Sequence, residues 1–196
     1  MGQSGVLARK STQRRQKPKA AAAPQLSLFT TELGWFGVLG AGRKILSLAI
    51  GHATAGEVRQ SIQHKSSELL DSLDFEESDW NPDLRRRLQQ FTLGKSTSFS
   101  NWELDLSSRT AFQRRVISVV RRIKFGTTKT YGEIAADAGA PRAARAVGTV
   151  MASNQTPIVV PCHRVVAAGG RLGGFSAPNG VNLKLRMLEL ENIKLT

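Results

Sequence analysis

The chain has 196 residues, with 28 Lys and Arg against 15 Asp and Glu, a formal net charge of +13 at pH 7 and a single cysteine. One thiol excludes an internal disulfide and any zinc site built on cysteine pairs, and no apolar run reaches the roughly 20 residues needed to span a bilayer. The charge favours an anionic partner, most simply nucleic acid, and we expect a cytoplasmic protein that is not secreted, associated with the nucleoid if bacterial.

Residues 1–24 are predicted to be a disordered basic arm, because they carry six Lys or Arg and no acidic residue. The remainder still holds 22 basic against 15 acidic residues, so the body of the protein is basic without the arm. The next segment, 25–107, is predicted to be a small α/β domain. Apolar runs over 26–51, broken at Gly40, Ala41 and Gly42, indicate strands and a β-hairpin.

Two helices and a short strand are predicted to complete this domain. Apolar residues keep roughly helical spacing over 57–73. A second helix begins after Asn81 and Pro82, which suit its N-terminus, and ends at Gly94. A strand is expected over 99–106.

Residues 108–196 are predicted to form a mostly helical second domain. The apolar face of its first helix has five members: Phe112, Val116, Val119, Val120 and Ile123. Arginines lie mostly away from that face, where they either line DNA or are solvated: Arg109, Arg114, Arg115, Arg121 and Arg122.

A helix-turn-helix follows, with one helix over about 131–138, a turn at 139–141 and a second helix that ends near 153. One face of the second helix carries Ala143, Val147, Val150 and Met151. The opposite face carries Arg145, Gly148, Thr149 and Ala152. Such a side-chain-poor face can lie flush in a groove, where its one arginine enters the base stack or reaches a phosphate.

The only cysteine, Cys162, lies in the stretch "PIVVPCHRVV". Pro161 predicts that a strand ends there, at a junction where side chains become accessible. Neighbours in a strand point to opposite faces, so a bridging water rather than direct contact would join Cys162 to His163. The glycine-rich "AAGGRLGGF" downstream offers a flexible pocket wall. The alternatives are a nucleophilic thiol and an inert, buried one.

Residues 131–175, "YGEIAADAGAPRAARAVGTVMASNQTPIVVPCHRVVAAGGRLGGF", followed by Lys184 and "MLELE", resemble the O6-alkylguanine-DNA alkyltransferases, also called methylated-DNA–protein-cysteine methyltransferases. The resemblance is close over 112–192. It implies an α/β fold, with a small N-terminal domain before a helix-turn-helix domain. It also implies a single-turnover enzyme that moves an alkyl group from O6-alkylguanine in double-stranded DNA onto Cys162. We expect a monomer that needs no cofactor and no metal.

The family's catalytic roles carry over to matching positions. Cys162 would be the alkyl acceptor, and His163 the base that takes its proton through a water. A C-terminal glutamate would orient that histidine; Glu191 is placed there, with Glu189 as the near alternative. Asn154 would brace the turn that carries the cysteine.

The resemblance also implies a DNA interface and a base pocket. Tyr131 would hydrogen-bond the flipped guanine and help to neutralise it as a leaving group, and Arg145 would fill the gap left in the duplex. The residues implied to contact the minor groove are Ala143, Ala144, Gly148 and Thr149. Those implied to line the base pocket are Met151, Val165, Phe175 and Ser176. Phe175 stands where many relatives have tyrosine.

Two other functions remain open on the sequence. A protein of the same fold could bind alkylated DNA without chemistry, although the presence of Cys162 favours transfer. A cysteine hydrolase would leave the basic surface and the small-residue helix unexplained. Arg164 is interpreted as structural, holding the turn.

Overall fold

An antiparallel meander forms the centre of the N-terminal domain in the computed structural model, which describes residues 22–66 and 75–194. The sheet order is β4-β1-β2-β3-β5, and both short edge strands run parallel to their neighbours. The strands are β1 (Gln25–Thr31), β2 (Gly34–Ala41), β3 (Lys44–His52), β4 (Glu76–Glu77) and β5 (Glu103–Leu104). The predicted basic arm, 1–24, lies almost entirely outside the described residues.

The predicted hairpin is confirmed, with its turn at Gly42 and Arg43. Gly42 has a φ of +57°, which a side chain would disfavour. Gly40 is not part of the turn. It lies inside β2, where the ring of Trp80 occupies the space that a Cβ would need.

Two helices flank the sheet. Helix α1 (Ala55–Ser66) packs on β2 and β3 and buries Val58 and Ile62 completely. The predicted helix over 57–73 is therefore confirmed as far as Ser66, and 67–74 lie outside the described residues. Helix α2 (Pro82–Thr92) begins where the side chain of Asn81 accepts a hydrogen bond from the Leu84 amide, as its sequence predicts.

The strand predicted over 99–106 is largely wrong, since only Glu103–Leu104 pair with β3. The guanidinium of Arg121 donates to the carbonyl oxygens of Phe99, Ser100 and Trp102. These carbonyls are satisfied by a side chain rather than by a neighbouring strand, so the backbone follows an irregular path.

The C-terminal domain contains four helices among the described residues: α3 (Ala111–Arg121), α4 (Tyr131–Asp137), α5 (Ala144–Ala152) and α6 (Gly180–Leu190). Capping boxes fix the first turns of α3 and α4, at Thr110 and Thr130. The predicted helix-turn-helix corresponds to α4 and α5, which pack on each other and on α3. A two-stranded parallel ladder, β6 (Lys129–Thr130) with β7 (Val165–Val166), joins the start of α4 to the segment after the cysteine.

Replacing Leu88 by alanine should lower the free energy of unfolding by about 2–5 kcal/mol, because this side chain of α2 is fully buried in the core. Urea denaturation followed by circular dichroism would measure the change. Leu93→Ala is the matched control, since Leu93 is 56% exposed and should change stability by less than about 0.5 kcal/mol. Equal losses in the two variants would contradict the packing of α2 described above.

Candidate active site

A cavity of about 380 Å³ opens between α4, α5 and the loop that precedes α6. Cys162 and Tyr131 line it, together with three of the four residues expected to form a base pocket: Met151, Phe175 and Ser176. The phenol of Tyr131 lies against Gly173, where a Cβ would come within 3.1 Å of its hydroxyl oxygen. The main-chain φ at Gly173 is +67°, so both space and conformation favour glycine beside Tyr131.

The fourth expected pocket residue, Val165, does not line the cavity. Its side chain is fully buried in the core of the C-terminal domain, and its backbone pairs with Lys129 in the β6–β7 ladder. Its carbonyl oxygen accepts a hydrogen bond of 2.6 Å from Nζ of Lys184, a lysine that is itself fully buried. Val165 therefore helps to fix the position of the segment that follows the cysteine.

Cys162 begins a short 3₁₀ turn, Cys162–Arg164, and is only 6% exposed. The accessible strand-to-turn junction predicted here is wrong, because the preceding segment folds on itself instead of extending. The amide of Val160 donates to the carbonyl of Thr156 at 2.8 Å, and that of Cys162 donates to the carbonyl of Val160 at 2.7 Å. The thiol is thus a buried group that reaches solvent through the cavity.

Asn154 fixes the sulfur atom. Its Nδ2 donates to the carbonyl oxygen of Val160 at 2.9 Å and to Sγ of Cys162 at 3.0 Å, while its Oδ1 accepts from the amide of Thr156 at 3.1 Å. Burial raises the pKa of the Cys162 thiol, and the bond from Asn154 opposes that rise, because a donor aimed at sulfur favours the thiolate.

His163 does not line the cavity, and its side chain contacts Glu191. Its Nε2 lies 2.8 Å from Oε1 of Glu191, and neither side chain is exposed. Arg164 donates to both oxygens of the same carboxylate and to the carbonyl oxygen of Ile123. The amide of Gly126 completes the set, 3.0 Å from Oε2.

The charges of this cluster follow from its contacts. Burial raises the pKa of Glu191, but the hydrogen bond from His163 and the hydrogen bonds and charge of Arg164 outweigh it and lower that pKa below the ordinary value. Burial lowers the pKa of His163, although the contact with Glu191 opposes the shift. The cluster is therefore an ionised carboxylate with a neutral imidazole. Nε2 of His163 must carry the proton that it donates to Glu191, which leaves Nδ1 as an acceptor.

Nδ1 of His163 is buried and has no hydrogen-bond partner within 22–66 and 75–194. The two candidate carboxylates of the sequence are also separated by the geometry. Glu191, directly after α6, contacts the histidine, whereas Glu189, two positions earlier in the helix, is exposed to solvent.

Helix α5 presents the two faces that its sequence predicts. Val147, Val150 and Met151 are buried. Arg145 and Thr149 are exposed, and Gly148 lies beside the ring of Tyr131, about 4.0 Å from where a Cβ would stand. The flanking Ala143 and Ala144, expected to lie against DNA, are half-buried at the start of the helix.

Two N-terminal residues at the site are missed by the sequence analysis. Lys65, near the end of α1, lines the cavity that holds the thiol. Phe91 of α2 packs edge-on against the ring of His163, with centroids 5.6 Å apart. No local pattern marks either residue, because each reaches the site only through the packing of one domain on the other.

A family model described as the DNA-binding domain of 6-O-methylguanine DNA methyltransferase matches residues 111–193. The methylated-DNA–protein-cysteine methyltransferase of Mycobacterium leprae is 48% identical over 105 residues, which cover 54% of this chain and 61% of that protein. The protein of the same name from Methanosarcina acetivorans is 38% identical over 128 residues, which cover 65% of this chain and 78% of that protein.

The likeness extends to the N-terminal domain in three dimensions. The crystal structure of Mycobacterium tuberculosis OGT in complex with DNA matches with a TM-score of 0.68 and 31% identity, over 86% of this chain and 93% of that one. Fold and site together define a two-domain protein in which a helix-turn-helix domain carries a buried thiol at a cavity. This chain belongs to the methylated-DNA–protein-cysteine methyltransferase family, as the sequence resemblance implies.

Glu191→Gln should lower the free energy of unfolding at pH 7 by about 3–5 kcal/mol, because it leaves Arg164 buried without its counter-charge. The pKa of Glu191 is lowered in the folded state, so its contribution is complete above the ordinary value of 4.5 and is lost as pH falls through the lowered value. The difference between wild type and variant should therefore shrink in acid. Urea unfolding at several pH values measures it.

Glu189→Gln is the control for that experiment, since Glu189 is exposed near the end of α6, two positions before Glu191. Its stability should follow that of the wild type at every pH. A constant difference between Glu191→Gln and wild type from pH 7 to below pH 4 would contradict an ionised Glu191.

Proposed function

We propose that this protein repairs DNA by transferring an alkyl group from O6-alkylguanine in the duplex to Sγ of Cys162, once per molecule. The observation that carries the proposal is the placement of the thiol. Cys162 stands in the wall of a cavity that opens beside the exposed face of α5, held by Asn154 and followed directly by the buried His163–Glu191 pair. The cavity is of the size range that holds small ligands.

Activation of the thiol would use the free acceptor of His163. With Nε2 committed to Glu191, Nδ1 takes the Cys162 proton through a bridging water, and Glu191 stabilises the imidazolium that forms. Because burial holds the pKa of His163 low, the imidazole is neutral and able to accept a proton at pH 7.

The transfer itself is a displacement at the alkyl carbon. The sulfur–carbon bond forms as the bond between that carbon and O6 breaks. The departing guanine takes up one proton, which balances the proton that the thiol has lost. Burial, reinforced by the charge of the nearby thiolate, raises the pKa of Tyr131, so its phenol stays protonated and can donate to the departing base. The thioether is not hydrolysed, so one thiol performs one repair.

The DNA contact would lie on α5. The residues around Arg145 on its exposed face have short side chains. Such a face can approach the minor groove closely, while the arginine fills the gap left by a flipped base. The solved relative named OGT is in complex with DNA, and the charge of +13 suits a phosphate backbone. We propose that the protein acts as a monomer, inside the cell and without a cofactor.

No helix within the described ranges is both long and apolar enough to cross a membrane.

Incubation with a modest excess of duplex containing O6-methylguanine should add the mass of one methyl group to the peptide that contains Cys162. Repair should then stop at one lesion per molecule, because Cys162 is the only thiol of the chain. Cys162→Ser should abolish transfer, since a hydroxyl ionises poorly near pH 7, but should leave duplex binding unchanged. Mass spectrometry and an electrophoretic shift assay provide the two readouts.

The outcomes separate the competing functions. Tight binding to alkylated duplex without any mass change would favour a recognition protein. Turnover of an ester or amide would favour a hydrolase. Repeated repair by one molecule, or transfer by Cys162→Ser, would rule out the stoichiometric mechanism.

Arg145→Ala should slow repair of duplex at limiting protein concentration by about tenfold, because an arginine contact of this kind contributes about 1–3 kcal/mol. Reaction with free O6-methylguanine base should change much less, since Arg145 lies on the exposed face of α5 and does not line the cavity. Arg186→Ala, an exposed arginine on α6, is the matched control. Equal losses on base and duplex would count against the extrusion role.

A further inference from the structure

Lys65 brings a cation from the N-terminal domain into the cavity of the thiol. The other described residues that line this cavity all lie within 131–177, in the C-terminal domain. Lys65 is half-buried, near the end of α1. Its pKa is lowered by burial, and the charge of a Cys162 thiolate opposes that shift.

Hydrogen bonds to the backbone fix the position of Lys65 relative to the segment that carries the cysteine. Its carbonyl oxygen accepts a hydrogen bond of 3.3 Å from Nε2 of Gln155, the residue that follows Asn154. The carbonyl of Gln155 in turn accepts from the amide of Leu48 in β3, at 2.7 Å. Gln155 therefore ties α1 and β3 to the asparagine that fixes Sγ, so the position of Lys65 is set by the domain interface.

The charged groups around Cys162 come from several elements. Lys184 of α6 also acts on the thiol, but its ammonium is bonded to the carbonyls of Val165 and Leu172 and burial lowers its pKa to about 8. His163 is neutral, the Glu191 carboxylate is paired with Arg164, and Tyr131 is protonated. Among the described residues, Lys65 is therefore the cation that lines the cavity together with the sulfur.

We infer that Lys65 acts through Cys162 in the alkyl transfer: its ammonium, carried across the domain interface, stabilises the thiolate in the wall of the cavity that both residues line. This inference deepens the proposed function and rests on it. The two charges favour each other, because a thiolate stabilises the charged lysine by as much as the lysine stabilises the thiolate. The N-terminal domain thereby contributes to the reactivity of a nucleophile that the other domain carries.

The test measures thiol reactivity without DNA. Iodoacetamide alkylates the thiolate of Cys162, forming a sulfur–carbon bond as iodide leaves and the thiol proton passes to solvent, and its rate is followed by intact mass from pH 6 to 10. Lys65→Met should react about three- to tenfold more slowly near pH 7, because one partly screened positive charge is removed. The two rates should approach each other as pH rises, because the lysine of the wild type, whose pKa is lowered by burial, loses its own charge.

Three further variants control the experiment. Lys65→Arg keeps the charge and should retain most of the wild-type rate, whereas Lys65→Gln should behave like Lys65→Met. Lys95→Met removes an exposed lysine that does not line the cavity and should match the wild type. Circular dichroism and thermal unfolding establish that each variant is folded. If Lys65→Met is unstable, Lys65→Arg and Lys65→Gln still give the comparison between a charged and a neutral side chain.

Single-turnover methyl transfer at saturating O6-methylguanine duplex is measured in parallel, with duplex affinity. At saturating duplex, Lys65→Met and Lys65→Gln should transfer the methyl group more slowly by the same factor as they react with iodoacetamide. Their affinity for the duplex should be unchanged. Coincident pH profiles for Lys65→Met and wild type would overturn the inference, as would Lys65→Arg being as slow as Lys65→Met. Slower repair through weaker duplex binding alone would assign Lys65 to a phosphate instead. If the wild type transfers no methyl group yet the iodoacetamide effect persists, the proposed function fails and the effect of Lys65 on the thiol stands.

Discussion

The carboxylate of Glu191 is the point at which three separate segments of the C-terminal domain are fixed. Its two oxygens accept hydrogen bonds from His163 and Arg164 of the cysteine turn and from the amide of Gly126, beyond α3. A carboxylate removed from water is costly unless each lone pair finds a donor, so the site is stable only when α6, the turn and the segment after α3 are all in place. The same contacts set the tautomer of His163, and thereby leave Nδ1 available.

The N-terminal domain is part of this site rather than a separate support. Phe91 packs against the imidazole, and the Leu48 amide bonds to Gln155 beside Asn154. Lys65 reaches the cavity itself. Because protein interiors are closely packed, a shift of the N-terminal sheet would displace His163 and the Asn154 side chain that holds Sγ. The proposed transfer depends on this rigidity, since the environment of the thiol must be correct before the substrate arrives.

Sequence periodicity predicts what depends on local pattern and misses what depends on tertiary packing. Helix α2 has its capping residue and its buried face where the sequence places them, because both follow from short-range spacing. The irregular backbone at Phe99 depends on Arg121, which is distant in sequence, so no local pattern predicts it. The burial of the Val165 side chain in the core has no local pattern either. Likewise Glu191 and Glu189 differ by two positions, and only the pitch of α6 against the cysteine turn distinguishes them.

The basic character of the chain serves the fold as well as any contact with DNA. Arg121 bonds to three backbone carbonyls, and Arg115 donates to the carbonyl of Ala138 at the end of α4. The Nη atoms of Arg109 bond to Ser153 at the end of α5. These arginines, which the sequence leaves between DNA contact and simple solvation, hold loops and helix ends together through their guanidinium donors. The exposed Arg145 is different, because its side chain forms no hydrogen bond or ion pair within 22–66 and 75–194, and it stands among small residues on the face of α5 that we propose contacts the duplex.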